Sequence, residues 1–189
     1  MPLRTTVLTA ATALVFAIGV LAPAAPASAE PLPAATAAAA GIAEEHCAID
    51  ITAGETRRAK AAEPVCFASI EEVDRYLEAR SAATAESRSL AAASVAVGRI
   101  YENTDKGGSS LTFWGSSGCA GETFGFPSLS SGWSTSVSSV TGLNGCWATS
   151  YTATSYGGSR LNCTPYCSNM WNYNDKIKSL VFRPSGTLG

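Results

Sequence analysis

Apolar and polar positions change their rhythm several times along the chain. Val7–Ala22 is a predominantly apolar run without a charged residue. "HCAIDI" (46–51) alternates with period two, and "VCFAS" (65–69) is apolar again after a polar stretch, so the pair predicts strand, loop and strand. In "SIEEVDRYLEAR" (69–80) the apolar residues Ile70, Val73, Tyr76 and Leu77 recur at helical spacing. Ser69 and Glu72 in front of them fit a capping box. "SAATAESRSLAAASVAV" (81–97) is Ala/Ser-rich and reads as a linker or a loosely held helix. From Gly98 onward short alternating runs are broken by Gly, Ser and Asn, which predicts all-β structure.

The amino terminus sets a compartment. "MPLRTT" carries one arginine, the apolar run follows, and Ala27-Ser28-Ala29 is a small-residue exit before Glu30. This is the order of a secretory signal peptide over residues 1–29. As a membrane anchor the run is short of the ~20 residues a span needs, and no basic stretch follows it. The expected product is a secreted chain, with no membrane association after cleavage. Residues 30–40 are Pro/Ala-rich, 41–80 form a small unit, 81–97 link it to a domain at 98–184, and 185–189 are a tail.

All six cysteines lie after the leader, and an even count in an exported chain implies disulfides. Zinc is disfavoured, because Cys163 and Cys167 have no second close pair and His46 is the sole histidine. Cys47 and Cys66 stand far from the rest and are expected to staple the front unit. The short spacing of Cys163 and Cys167 predicts a small ring, which leaves Cys119 with Cys146.

The β region repeats itself. "IYENTDKGGSSL" (100–111) matches "SYTATSYGGSRL" (150–161), aligning Tyr101 with Tyr151 and Gly108 with Gly158. "WSTSVSSV" (133–140) matches "YNDKIKSL" (173–180), aligning Val137 with Ile177 and Ser139 with Ser179. These blocks resemble the βγ-crystallin Greek-key signature: an aromatic, four residues, a second aromatic, one residue and a glycine. Tyr151, Tyr156 and Gly158 fit it. The first copy has Tyr101 and Gly108 but Lys106 at the second aromatic place. The resemblance covers roughly residues 98–184 and implies a sandwich of two Greek keys behind the disulfide-stapled strand/helix unit. The region is also similar to secreted actinobacterial metalloproteinase inhibitors and killer-toxin-like proteins of this fold.

The resemblance implies a calcium loop before the last strand of each key: two Asn/Asp residues, two variable ones, then two hydroxyls. Here these are residues 134–139 and 174–179. The first loop keeps Ser138 and Ser139 but has Ser134 and Thr135 where carboxylates or amides belong. The second keeps Asn174 and Asp175 but has Lys178 at the ligating hydroxyl. An ammonium has no acceptor and opposes a cation. The residues favour an Asx-type turn. One weak calcium site is left open, from Ser138, Asn174 and Asp175 with an oxygen of Glu102. No other cofactor is expected.

Charge excludes some partners. Residues 98–189 hold Arg99, Lys106, Arg160, Lys176, Lys178 and Arg183 against Glu102, Asp105, Glu122 and Asp175, with no clustered basic face for nucleic acid. Catalysis is not expected either: His46 falls outside the repeat, the thiols are oxidised, and nothing selects Glu102 and Glu122 as a carboxylate pair. The expectation is a non-enzymatic binding protein. The resemblance places peptidase inhibition ahead of two alternatives, cell-surface or carbohydrate binding and a structural calcium module. Its partner would then be an extracellular protease, or else a cell-wall component. The loop candidates are "CTPYCSN" (163–169), with Thr164, Pro165 and Tyr166 inside the ring, and "GSSGC" (115–119). Trp114, Trp147, Trp171 and Tyr166 are the aromatics that a core does not obviously require.

Overall fold

The computed structural model describes residues 43–51, 63–86 and 94–189. The signal peptide, the Pro/Ala-rich segment and residues 87–93 of the linker lie outside them.

The two repeats build two interlocked Greek keys. The first comprises β3 (Val95–Tyr101), β4 (Ser110–Gly115), β5 (Phe124–Phe126) and β6 (Ser139–Gly142). The second comprises β7 (Cys146–Tyr151), β8 (Arg160–Cys163), β9 (Tyr166–Cys167) and β10 (Ser179–Pro184). Each key lends its third strand to the other. β5 joins β10, β7 and β8 in a four-stranded sheet, while β9 pairs with β6 in the other sheet.

The hairpins show why the repeat reads so clearly. In the first, Glu102 N–H donates to Ser109 O and Asn103 N–H to Gly107 O. At the same offset, Thr152 N–H donates to Ser159 O and Ala153 N–H to Gly157 O. Asp105, Lys106 and Gly108 take φ of 53°, 66° and 71°, and Ser155, Tyr156 and Gly158 take 55°, 61° and 75°. The glycine of each copy supplies a left-handed turn without a Cβ clash. A buried serine from the fourth strand then latches each hairpin: Ser139 Oγ donates to Asn103 O, and Ser179 Oγ to Ala153 O, both at 2.7 Å.

Inward-facing residues of both sheets make one core, with Val97, Ile100, Val137, Val140, Met170, Ile177, Leu180 and Phe182 fully buried. Phe113, Phe126 and Phe182 cluster with centroid separations of 4.5–6.1 Å. Gly98 lies against this cluster. A Cβ there would fall 1.9 Å from Phe182 Cε1. The β3–β4 register shifts at this point, between Ala96 and Gly98.

The front segment differs most from the sequence reading. β1 (His46–Asp50) and β2 (Val65–Phe67) form the expected antiparallel pair. β1 also runs parallel to β4 along its length, from His46 opposite Ser110 to Asp50 opposite Trp114. The first sheet is therefore six-stranded, in the order β2-β1-β4-β3-β6-β9. Cys47 and Ile51 contribute to the main core. All described residues fall in one compact unit, Ala40–Gly189. The helix α1 (Ile70–Glu86) runs past residue 80, through alanines that favour helix. β3 begins at Val95, inside the segment read as linker.

α1 starts as its sequence predicts. Glu72 N–H donates to Ser69 Oγ, and Glu72 Oε2 accepts from Ala68 N–H. The helix lays Val73 and Leu77 on the outer face of the six-stranded sheet, against Ala48 and Trp114. Burying each large side chain there stabilises the fold by about 1.5–3 kcal/mol. Arg99, buried on β3, bonds Thr112 Oγ1 and pairs with Asp74 of the helix. The Arg80 guanidinium covers the Trp114 ring, 4.8 Å from its centroid.

Candidate functional site

The three disulfides are Cys47–Cys66, Cys119–Cys146 and Cys163–Cys167. They match the expected pairing and leave no free thiol. Glu45, Cys47 and Cys66 bring three ligand-type atoms within 4.8 Å, but two of those are disulfide sulfurs, which do not hold a metal ion.

The paired loops are related as the repeat predicts. Val137 and Ile177 are fully buried anchors. Ser138 N–H donates to Tyr101 O at 2.9 Å, and Lys178 N–H donates to Tyr151 O at 2.8 Å. From there each side chain crosses to the other key. Ser138 Oγ approaches Asp175 Oδ1 at 3.4 Å, while Lys178 Nζ donates to Ser134 O at 2.7 Å. The loops thus make two different half-sites. On the Lys178 side an ammonium already satisfies the carbonyl, and the residues do not fit a second cation. On the Asp175 side, Asn174 Nδ2 donates to Asp175 Oδ2, and Asn174 Oδ1 is enclosed without a donor. That orphaned acceptor, a carboxylate and a hydroxyl are ligands of the type a hard cation takes. Asp175 has φ 57° and donates its N–H across to Val137 O of the first loop, so its backbone ties the loops together, and neither Asn174 nor Asp175 uses a side-chain oxygen for an Asx turn. Glu102 is exposed at the start of the first hairpin, next to Tyr101.

The ring closed by Cys163 and Cys167 has buried ends and an exposed middle. Cys163 and Cys167 are in the core, whereas Thr164 and Pro165 face solvent and Tyr166 is half-buried. Gly142 N–H donates to Pro165 O at 2.7 Å, and Tyr166 lies opposite Thr141 of β6. β9 is the outermost strand on this side of the sheet. Lys106 Nζ sits 4.7 Å from the Tyr166 ring centroid. Burial first, and then the Asp105 carboxylate, raise the Tyr166 hydroxyl pKa.

Lys106 also explains the departure at the second aromatic place. It shares the left-handed backbone of Tyr156, whose ring meets Tyr151 edge-on at 5.9 Å. In the first key the long side chain reaches Tyr166 instead.

The second loop candidate, 115–119, is held at its ends and exposes Ser116, with Ser117 and Gly118 half-buried. Gly115 ends β4 buried, Cys119 is fully buried, and a Cβ on Gly118 would lie 2.9 Å from Asn144 O. Sequence reasoning also missed that His46 reaches the repeat. Its Nδ1 lies 2.9 Å from Ser110 Oγ, across 64 residues. Ser110 is fully buried, which gives an acyl donor no approach. Of the aromatics without an obvious place, Trp114 is buried under α1, Trp147 is half-buried, and Trp171 is 62% exposed.

Among solved structures the chain is similar to the amino-terminal domain of protein S. That match has 14% identity over 47% of this chain and 97% of that one, at a TM-score of 0.39. It is also similar to a βγ-crystallin domain from Flavobacterium johnsoniae, with 24% identity over 49% and 99% and a TM-score of 0.38. An archaeal βγ-crystallin gives 24% over 48% and 98%, with a TM-score of 0.34. No family model and no curated protein matches. The fold is βγ-crystallin-like.

Proposed function

We propose that the protein is an extracellular, disulfide-stabilised binding protein of the peptidase-inhibitor kind, without catalysis of its own. Thr164, Pro165 and Tyr166 are the segment it offers to a peptidase, a metalloproteinase in the first instance. The observation that carries this reading is the ring itself: an exposed middle between two cysteines held in the core. An inhibitor must fill a cleft and stay bound. A ring with both ends anchored holds the two sides of a cut bond together, so religation competes with release. The bond from Gly142 and the ladder to β6 fix the segment before binding, which lowers the entropy lost on association. The outer side of β9 leaves backbone groups for strand-like pairing in a cleft. Three disulfides fit an oxidising compartment, as does the leader read at residues 1–29. Among the described residues no helix is long and apolar enough to cross a membrane.

The test is residual activity of a thermolysin-type metalloproteinase and of trypsin- and subtilisin-type serine peptidases, titrated with the oxidised protein. Dose-dependent loss of one activity is expected, together with at least about a tenfold weaker inhibition constant for Pro165→Gly combined with Tyr166→Ala, the loss of a contact worth ~1.4 kcal/mol. No inhibition of either class by folded protein rejects the reading, and so does equal inhibition by the loop variant.

A second reading is favoured by the orphaned Asn174 Oδ1. With Asp175 and Ser138 it would hold one calcium ion weakly, as a brace between the keys rather than a signal. Calorimetry of the calcium titration tests it, and Asn174→Ala should abolish whatever heat is seen.

A further inference from the structure

Trp171 is 62% exposed, yet its placement is tightly determined. Its backbone is left-handed, with φ 45°, a conformation unusual for a bulky side chain. Neighbours enforce it: Trp171 N–H donates to Asn169 Oδ1 at 2.6 Å, Asn174 N–H donates to Trp171 O at 3.1 Å, and Tyr173 N–H donates to Met170 O at 2.8 Å. Met170 on one side and Ile177 on the other are fully buried, so the turn is pinned at both ends. The ring projects from a rigid base. Asparagine would suit this backbone better and would leave less apolar surface in water, so the fold itself gives no reason for an indole here. Strain of this kind points toward a contact outside the fold.

The surroundings choose the occupant. Asn169, Asn172, Asp175 and Lys176 share the turn, and the last three are exposed. Among the described residues the other exposed large apolar side chains, Val65, Tyr156 and Leu188, belong to β2, the second hairpin and the tail. The exposed residues that share the turn with Trp171 are polar, unlike the apolar centre of a protein interface. A pyranose ring has the complementary make-up: a C–H face to stack on the indole and a hydroxyl edge to bond amides, carboxylate and ammonium. Asp175 and Lys176 cancel in charge, which favours a neutral sugar. We propose that Trp171 is the stacking platform of a binding site for neutral pyranose units of an extracellular polysaccharide. Asn172, Asp175 and Lys176 of the same turn would supply its hydrogen bonds with their remaining capacity, since Lys176 Nζ already donates to Asn172 O at 3.1 Å and Asp175 accepts from Asn174 and Ser138. This site does not rest on the peptidase reading.

The experiment is co-sedimentation of the full, oxidised protein with insoluble β-1,3-glucan, cellulose and chitin, followed by fluorescence titration with the matching soluble oligosaccharides. Binding to at least one of the three is expected. Trp171→Asn should lower the association constant by about tenfold or more, as loss of an aromatic stacking contact, with an unchanged or raised melting temperature. Trp171→Tyr should retain most of the binding. Inhibition of any peptidase should be unchanged in Trp171→Asn, which separates the two proposals. The inference is overturned if folded protein binds none of the three polysaccharides, or if Trp171→Asn binds as the parent does. It is equally overturned if Trp171→Asn removes binding to a protein and not to a glycan.

Discussion

Lys178 Nζ donates to the carbonyl oxygen of Ser134 at 2.7 Å, so the second Greek key is tied to the first by a cation belonging to the chain. Its counterpart Ser138 makes the reciprocal crossing to Asp175 with a neutral hydroxyl. One half-site therefore carries its own positive charge, and the other offers oxygens.

Lys178→Ser is expected to reverse that difference. It removes the ammonium and supplies a hydroxyl, so calcium affinity should rise and the melting temperature should become calcium-dependent. Without calcium the variant should lose about 1 kcal/mol, the net worth of one hydrogen bond at a half-exposed group. In the parent, affinity on the order of millimolar at best gives little stabilisation near 1 mM calcium, because the gain follows RT ln(1 + [L]/Kd). Scanning calorimetry in chelator and in calcium reads both. Micromolar binding by the parent would sink the argument.

Alkaline pH should unfold the protein through its tyrosines. Burial raises the pKa of Tyr101, with Arg99 opposing and Asp74 adding to the shift. Burial likewise raises Tyr156 and Tyr166. A group whose folded pKa is raised holds its proton more tightly in the native state. Its contribution is complete below the unfolded value of about 10 and is lost as pH climbs through the folded value. Urea midpoints should therefore be flat up to pH ~10 and fall above it. Tyr101→Phe should flatten that fall, and an identical alkaline limb in the variant would contradict the assignment.

Gly98→Ala should be among the most damaging small substitutions. The added methyl would meet the Phe182 ring at 1.9–2.6 Å, and Phe182 is fully buried among Phe113 and Phe126. Overpacking of this kind costs about 1–3 kcal/mol or more. Phe182→Leu should recover part of the loss in the double variant, so a cycle of denaturant midpoints should show non-additivity. Strict additivity would mean that the two residues do not meet.

The features legible in the sequence are those set by local backbone chemistry. The hairpins at residues 102–108 and 152–158 need left-handed turns and a latching serine, and those demands recur as matched letters. The cysteine pairing followed from position. The Asp175 half-site was visible in Asn174 and Asp175, but Lys178's crossing to Ser134 was not, because a side chain's reach is not a periodic signal. β1 was legible as a strand but not as a partner of β4. Parallel pairing across 64 residues leaves no turn and no spacing to read. The same blindness hid why Trp114 follows Phe113: one ring enters the core, and the other waits for α1.

That pairing decides how the β domain should behave alone. A fragment of residues 94–189 retains both keys but loses β1, β2 and α1. The edge of β4 then exposes an unpaired ladder, which templates association. Trp114 loses Val73, Leu77 and Ala48, and Arg99 loses Asp74. The main core also loses Cys47 and Ile51. Removing three or four buried apolar contacts of about 1.5–3 kcal/mol each is comparable with the whole stability of a small domain, about 5–15 kcal/mol. The fragment should therefore melt well below the parent and oligomerise in sedimentation velocity. Trp114→Thr in the fragment removes the exposed indole and suits an outward strand position, so it should reduce oligomerisation without restoring the parent's melting temperature. A monomeric fragment with the parent's melting temperature would show that the front segment merely rests on the sheet.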